Sequence, residues 1–366
     1  MSLISKVECI EVNVPLPKPL AVGATVITHR GYAIIKVTTK SGVEGVAYCY
    51  TRSMPMAKIL NATFGPEIIG MDTNIPERIR QNLLAKFWHS AEHGTFTAAL
   101  SALDLAIWDA LGKENSISLS RMLGQQHEKV LLCTVIGYQY DDNEAGLIAE
   151  VESSLIAGFK SFKMVIGAGT PKRDAERVRI VRELIGPEAR LAVDAFRSFK
   201  DLDDARRRVD AIREYDISFV EDPFNESLGS LAADLRARTG ALIAFGESQS
   251  GHRPIGTLVS QNYVDVVRID ALIVGGVREF MSSAAIASAR GLPVATHIHS
   301  EIHIHFGAAI NNLYSGGLEY MNPSNNVDAI HKLMSNPLVV DKGYALVPTG
   351  PGLGIEWNWK EVEKYA

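Results

Sequence analysis

The chain has 366 residues, 46% of them apolar and 22% charged, and a formal net charge of −5 at pH 7. That balance excludes a disordered or collagen-like chain, and the acidic excess excludes a globally basic nucleic-acid binder. No apolar run approaches the roughly 18 residues of a membrane helix, and residues 1–11 carry charge without a secretory apolar stretch. The expectation is a cytoplasmic homo-oligomer with no membrane and no nucleic-acid partner, acting on small molecules. Cys9, Cys49 and Cys133 have no metal spacing and cannot form a disulfide framework. They read as buried small hydrophobes in a reducing compartment.

The first 50 residues read as strands. Val12 and Val14 flank Asn13 ahead of a break at Pro15-Leu16-Pro17. Residues 32–39 are β-branched, Ser41-Gly42 makes a turn and 43–51 returns, a hairpin pattern. Residues 19–30 read as a Gly-containing loop, long enough to serve as a flap. Helices follow. Asn74 is an N-cap candidate with Pro76 in the first turn, and Ile79, Leu83, Leu84 and Phe87 share a face. The next helix carries Phe96, Ala99, Leu100, Leu103, Ala106, Ile107, Ala110 and Leu111, with Gly112 closing it. Apolar over a wide face, it belongs between two layers. Residues 1–125 therefore read as an α+β unit.

From about residue 130 strands and helices alternate. Apolar runs occur at 130–136, 162–166, 191–193, 217–220, 242–245, 264–269, 293–295 and 318–320. Helical patterns lie between them: Val178, Val181 and Ile185; Ala205, Val209 and Ile212; Leu228, Leu231 and Leu235; and residues 277–290. Eight strands separated mostly by helices favour an α/β barrel over an open sheet. Arg206-Arg207-Arg208, set among Asp203, Asp204 and Asp210, reads as a solvated helix face. Residues beyond about 340, with Gly343, Pro348, Gly350, Pro351 and Gly352, read as a tail returning to the first unit.

The strand ends carry the chemistry. Lys163, Asp194, Glu221, Glu247, Asp270, His297 and Glu319 follow one another at gaps of 31, 27, 26, 23, 27 and 22 residues, about one βα unit each. In a (β/α)₈ barrel the C-terminal strand ends converge on one mouth, so seven ionisable groups point at one cavity. One acidic residue after a strand is ordinarily a helix cap or a loop charge. Asp194, Glu221 and Glu247 on consecutive strand ends would repel one another unless a cation compensates. A carboxylate set with no Cys or paired His suits Mg²⁺ rather than zinc.

These residues carry a resemblance to the enolase superfamily and, within it, the mandelate racemase/muconate lactonizing enzyme subgroup. Residues 101–113 (SALDLAIWDALGK) look like the family's capping-domain helix, and residues 158–167 (GFKSFKMVIG) like its second barrel strand. Asp194, Glu221-Asp222-Pro223 and Gly246-Glu247-Ser248 look like its three metal ligands. Asp270 with Gly275-Gly276, followed by His297, looks like the subgroup's Asp–His dyad. The resemblance covers nearly the whole chain. It implies a modified (β/α)₇β barrel over residues 126–340, an α+β capping domain over 1–125, and a tail, 341–366, returning to that domain. It also implies one Mg²⁺ per subunit and a small carboxylate substrate that loses its α-proton to give an enediolate. By the same resemblance His297 is the base, Asp270 holds its tautomer, Lys163 neutralises the substrate carboxylate and Glu319 hydrogen-bonds one of its oxygens.

One departure decides the expected reaction. The family often has Lys-x-Lys on the second strand, the second lysine being a base on the opposite face of the substrate. Here the motif reads Lys163-Met164-Val165, and Val165 cannot accept a proton. Racemisation by two bases is disfavoured, whereas a dehydratase can use one group to remove the α-proton and to protonate the departing β-hydroxyl. The leading expectation is a Mg²⁺-dependent hydro-lyase converting an acid sugar to a 2-keto-3-deoxy acid. The alternative is an isomerase of the same family, a racemase, epimerase or lactone cycloisomerase. A catalytically silent binding protein is the reading that the intact triad and dyad oppose.

The 19–30 and 48–56 loops, with His29, Arg30, Thr51, Arg52 and Ser53, make a polar lid suited to a hydroxyl-rich acid, and His29 and Arg52 are its candidate substrate contacts; that these side chains simply face solvent is an equal reading. Arg197, three residues after Asp194, and Arg268, two before Asp270, are two more. For both, salt bridges to neighbouring carboxylates are an equal reading. His299, Glu301, His303 and His305 lie where the chain turns into a helix and read as core or surface residues rather than a second metal site.

Overall fold

The computed structural model describes residues 2–22, 25–90, 94–139 and 144–366. The N-terminal part is an antiparallel sheet of β1 (Ile4–Val22), β2 (Thr25–Thr39) and β3 (Glu44–Tyr50), in that order. The prolines do not break β1. It is an edge strand, where a missing N–H can face away from the ladder, and its pairing with β2 shifts register between Pro15 and Leu20. Residues 19–30, expected as a loop, are therefore mostly paired strand, with Val14 opposite Arg30 and Leu20 opposite Ile27. The hairpin tip at 23–24 lies outside the described residues.

The helix Pro76–Lys86 has Ile75, not Asn74, at its cap position, with no side-chain cap. Asn74 is engaged by Asp72 Oδ1 through its backbone N–H (3.0 Å) and its side-chain amide (2.9 Å). Pro76 keeps the expected first-turn place. The helix Gly94–Glu114 is buried on nearly every side, as its apolar width requires. It runs on past Gly112, which is not a C-cap. A Cβ there would stand 2.6 Å from Gly352 Cα, so the glycine admits the returning tail.

Eight parallel strands follow: β4 (Lys129–Ile136), β5 (Ser161–Val165), β6 (Arg190–Asp194), β7 (Ile217–Glu221), β8 (Ile243–Phe245), β9 (Val266–Ile269), β10 (Val294–Thr296) and β11 (Leu318–Tyr320). They pair in sequence from β4 to β10, and β11 pairs with the other side of β4. Between β10 and β11 the closure runs through Val294, whose N–H bonds Asn312 O (2.7 Å) and whose carbonyl accepts from Tyr314 (2.7 Å). Among the described residues seven α-helices separate the eight strands. This is a modified (β/α)₇β barrel with an α+β cap.

Three smaller expectations need correction. Leu228 is exposed, ahead of the helix Gly229–Thr239 rather than in it. Arg206 and Arg207 pair with acids on an exposed face, but Arg208 is buried against Asp174 (2.7 Å) and Asp204 (3.1 Å). It falls on the stripe of Ala205, Val209 and Ile212, which faces inward. The tail first adds the hairpin β12 (Val340–Asp341) and β13 (Tyr344–Leu346) antiparallel to β4. Only then does it reach the cap, where Leu353 N–H donates to Asp109 Oδ1 (2.7 Å) and the helix Trp359–Tyr365 meets β1. The three cysteines are buried and free. Among the described residues no helix is long and apolar enough to cross a membrane.

Candidate active site

Period-two alternation builds the site. Ala192, Phe219, Ala244, Val266 and Ala295 make a small apolar plug with Tyr314 inside the barrel. Two residues further along their strands stand Asp194, Glu221, Arg268 and His297, on the same interior face. Lys163 projects from β5, with Val165 two residues on and in register with Asp194. Asp194 and Glu221 are register partners across β6 and β7. The turns that follow are tight. Phe196, Arg197, Asp222, Ile298 and His299 all have positive φ, the kind of backbone strain that collects at functional sites.

The seven predicted residues form one group. Lys163 Nζ lies 2.9 Å from Glu221 Oε1, 2.9 Å from Glu319 Oε2 and 3.5 Å from Asp194 Oδ2. Burial opposes the ammonium charge, yet these carboxylates hold Lys163 protonated, well above the ordinary lysine range. Burial raises Asp194 and Glu221 above the usual carboxylate range, and neighbouring carboxylates add to it. Burial also pushes Glu319 up, but Arg268 and Lys163 outweigh it and bring Glu319 down to about 2. Glu319 is therefore an acceptor here, taking hydrogen bonds from Lys163 and Arg268.

His297 Nδ1 is 2.8 Å from Asp270 Oδ2, and its Nε2 is 3.6 Å from Glu247 Oε1. The histidine keeps 15% of its side chain open while Asp270 has none. Asp270 is fixed further by Leu272 N–H on Oδ1 (2.8 Å). Burial would raise its carboxyl, but the His297 hydrogen bond and neighbouring histidines hold it well below the usual range. An ionised Asp270 only accepts, so Nδ1 carries a proton, and in the neutral imidazole that leaves the lone pair on Nε2.

The loop after Asp270 is locked from two directions. His303 Nδ1 bonds Ile298 O (2.6 Å) and its Nε2 accepts from Ala271 N–H (2.8 Å). From the cap, Ser101 Oγ accepts from Gly275 N–H (2.9 Å) and Asp104 Oδ2 from Val277 N–H (2.8 Å). Gly276, with φ +90°, permits that approach, since any Cβ would collide with Asp104.

The proposed substrate contacts fare unevenly. Among the described residues, His29 and Arg52 touch none of the seven: His29 is exposed beside Thr28, and Arg52 is exposed after β3. Arg197 pairs with Asp222 (2.8 Å) and Glu226 (3.2 Å). Arg268 is 1% exposed and bound to Glu221, Glu247 and Glu319. For both arginines the salt-bridge reading describes the geometry. Arg30, named with the polar lid but not among its contacts, is half-buried, bonded through Nε to Val327 O (2.7 Å) and stacked over Tyr50 (5.2 Å). Tyr138, buried after β4, packs edge-on against Phe196, two residues after Asp194. His299, Glu301, His303 and His305 are buried.

Comparison with known proteins now decides the family. The family described as "Mandelate racemase / muconate lactonizing enzyme, N-terminal domain" matches residues 4–124, and "Enolase C-terminal domain-like" matches residues 146–362. The chain belongs to the mandelate racemase/muconate lactonizing enzyme family. Relatives of this family include a D-galactarolactone cycloisomerase of Agrobacterium fabrum, 26% identical over 90% of both chains. An arabinonate dehydratase of Saccharolobus solfataricus is 26% identical over 90% of this chain and 89% of its own. A solved enolase structure from Bradyrhizobium, complexed with magnesium and mandelic acid, is 26% identical with a TM-score of 0.88, covering 99% of this chain and 98% of its own.

The donor set fits a divalent cation of the family's kind. Asp194, Glu221, Glu247 and Glu319 bring four carboxylates to Lys163 and Arg268, with Arg197 at the edge 3.9 Å from Glu247, so carboxylates outnumber cations. A divalent cation offsets that excess, and all-oxygen donors suit Mg²⁺. Among the described residues no three such side chains are gathered in a finished ligating arrangement. The oxygens of Glu221 and Glu247 are turned to Lys163 and Arg268 instead.

Proposed function

We propose that this chain is a Mg²⁺-dependent hydro-lyase that dehydrates an acid sugar to a 2-keto-3-deoxy acid. The observation that carries this reading is a base on one side only. His297, held by Asp270 at 2.8 Å, offers a free Nε2 at the mouth, while position 165 holds a valine. Lys163 is no substitute, since a protonated amine ringed by carboxylates does not take up a proton.

Removing a proton α to a carboxylate puts a second negative charge on the substrate. When held by Asp194, Glu221 and Glu247, Mg²⁺ supplies positive charge beside that developing enediolate. Lys163 adds its ammonium at the same carboxylate, and Glu319 keeps Lys163 aimed. His297 Nε2 takes the α-proton, and Asp270 stabilises the imidazolium. The C–H electron pair forms the C2–C3 double bond as the C3–O bond breaks. His297 returns its proton to the departing hydroxyl, and the enol left behind becomes the 2-keto acid.

The dehydratase relative supports this reading. The cycloisomerase relative, equally similar, supports a second one: opening of a sugar lactone, in which product and substrate have equal mass. The test incubates a library of mono- and diacid sugars with enzyme and Mg²⁺. It follows 2-keto acid formation and loss of one water by mass spectrometry. Turnover of a lactone with no mass change selects the second reading. The library includes their lactones, and failure of every acid and every lactone to turn over or exchange its α-proton would sink both.

A further inference from the structure

Arg268 has no part in the steps above, and its surroundings are unusual. Its Nη2 donates to Glu319 Oε2, lies 3.1 Å from Glu221 and reaches Glu247 at 3.3 Å, while Nη1 donates to the Thr296 carbonyl. Among the described residues Nε has no partner. A guanidinium buried with one N–H unsatisfied is costly, and the plug beneath it shows that this barrel interior is otherwise filled by apolar side chains. The gain must come from the carboxylates. Without Arg268, Lys163 and the more distant Arg197, 3.9 Å from Glu247, would be left facing the four, and the negative excess would grow by one charge. Arginine suits the task because it stays charged and presents several donors in a fixed plane.

We propose that Arg268 is a built-in counter-cation: it holds Glu221, Glu247 and Glu319 in place from within the barrel, and it weakens the site's grip on its divalent cation. This rests on the reading of Asp194, Glu221 and Glu247 as the metal-holding set. Arg268 acts through those carboxylates and touches no substrate, so it is a positioning residue. Two consequences follow. Removing its charge leaves buried carboxylates uncompensated, which destabilises the metal-stripped protein. The same removal deepens the negative potential, so a divalent cation is held more tightly.

Mg²⁺ is titrated calorimetrically into chelator-stripped protein, and thermal unfolding is followed with and without Mg²⁺. The variants are Arg268→Met, Arg268→Gln and Arg268→Lys. Both neutral variants are expected to bind Mg²⁺ at least about tenfold more tightly than wild type. Their stripped forms should unfold at lower temperature, and saturating Mg²⁺ should recover most of that loss. Arg268→Lys should stay within about threefold of wild-type affinity. Neutral variants that fold only with Mg²⁺ present also support the proposal, because the ion then supplies the missing charge. It is overturned if the neutral variants bind Mg²⁺ no more tightly than wild type, or stay unfolded in saturating Mg²⁺. It is overturned equally if the lysine variant behaves like the neutral ones. The underlying metal reading is checked separately: it fails if wild type binds no Mg²⁺, or if Glu247→Gln binds it as wild type does.

Discussion

Replacing Asp104 by asparagine tests how the cap grips the barrel. Asp104 is buried in the helix Gly94–Glu114, and its Oδ2 caps Val277 N–H at the start of the helix that follows the Asp270 loop. Burial pushes its carboxyl up to about 7, against the pull of that hydrogen bond and of Arg80. In an unfolded chain an aspartate titrates near about 3.9. Between those two values the folded protein holds a proton that the unfolded chain has released. The contribution to stability is thus complete below the unfolded value and is lost as pH rises through about 7. The linkage relation gives a loss of about 3 kcal/mol between about pH 5 and about pH 8. Asparagine keeps an acceptor oxygen for Val277 and has no proton to release. Urea unfolding of both proteins at several pH values across that range reads the difference, from which titrations common to both cancel. Wild-type stability relative to Asp104→Asn should fall by about 3 kcal/mol across the range. A difference flat to within about 0.5 kcal/mol would refute the reasoning.

Other perturbations address the chemistry. In Asp270→Asn the side-chain oxygen stays with Leu272 N–H, so the amide faces Nδ1 as a donor and drives the histidine proton onto Nε2. Turnover should fall by about 10³ to 10⁴ with little change in KM, and retention of a tenth of wild-type activity would refute the assigned tautomer. Glu247→Gln should lose Mg²⁺-dependent activity while circular dichroism stays unchanged; full activity would remove Glu247 from the metal set. In D₂O, one α-epimer of an active substrate should exchange its α-proton by NMR and the other should not; comparable exchange in both means a second base. On the acid side, burial lowers His305 to about 4, where its Nδ1 accepts from Ser120 N–H and its Nε2 bonds Leu353 O. Below the usual histidine value of about 6.5 the unfolded chain binds the extra proton, so stability should drop as pH falls toward 4. His305→Asn should flatten that acid limb, and an unchanged limb would count against it.

The site floor was legible because its signal is local. A charged residue closing an apolar run, repeated once per βα unit, survives any error in helix boundaries. Period-two alternation then puts Asp194 above Ala192 and His297 above Ala295. Arg30 was passed over as a candidate contact for a related reason. Reading residues 19–30 as a loop discarded the alternation of β2, on which His29 points out and Arg30 in, and the outward residue was chosen. Pro15 and Pro17 looked like a break because an edge strand cannot be told from a central one along the chain. Arg208 and Gly112 were misread because their partners, Asp174 and Gly352, are distant in sequence. The bonds from Ser101 and Asp104 to residues 275–277 span more than 170 positions and leave no local trace beyond a glycine pair.

The seat that Gly112 and Asp109 make for residues 352 and 353 also orders events during synthesis. The helix Gly94–Glu114 leaves the ribosome well before residue 353, and Asp109 receives its bond from Leu353 only once that residue has emerged. Until then Val46 N–H and Lys113 hold Oδ2 of Asp109, while Oδ1 lacks its partner and a strip of helix stays uncovered. A message cut short before codon 352 would therefore yield a chain with every metal-site and dyad residue translated and its cap unsealed, a product that quality control can recognise by what its first third lacks.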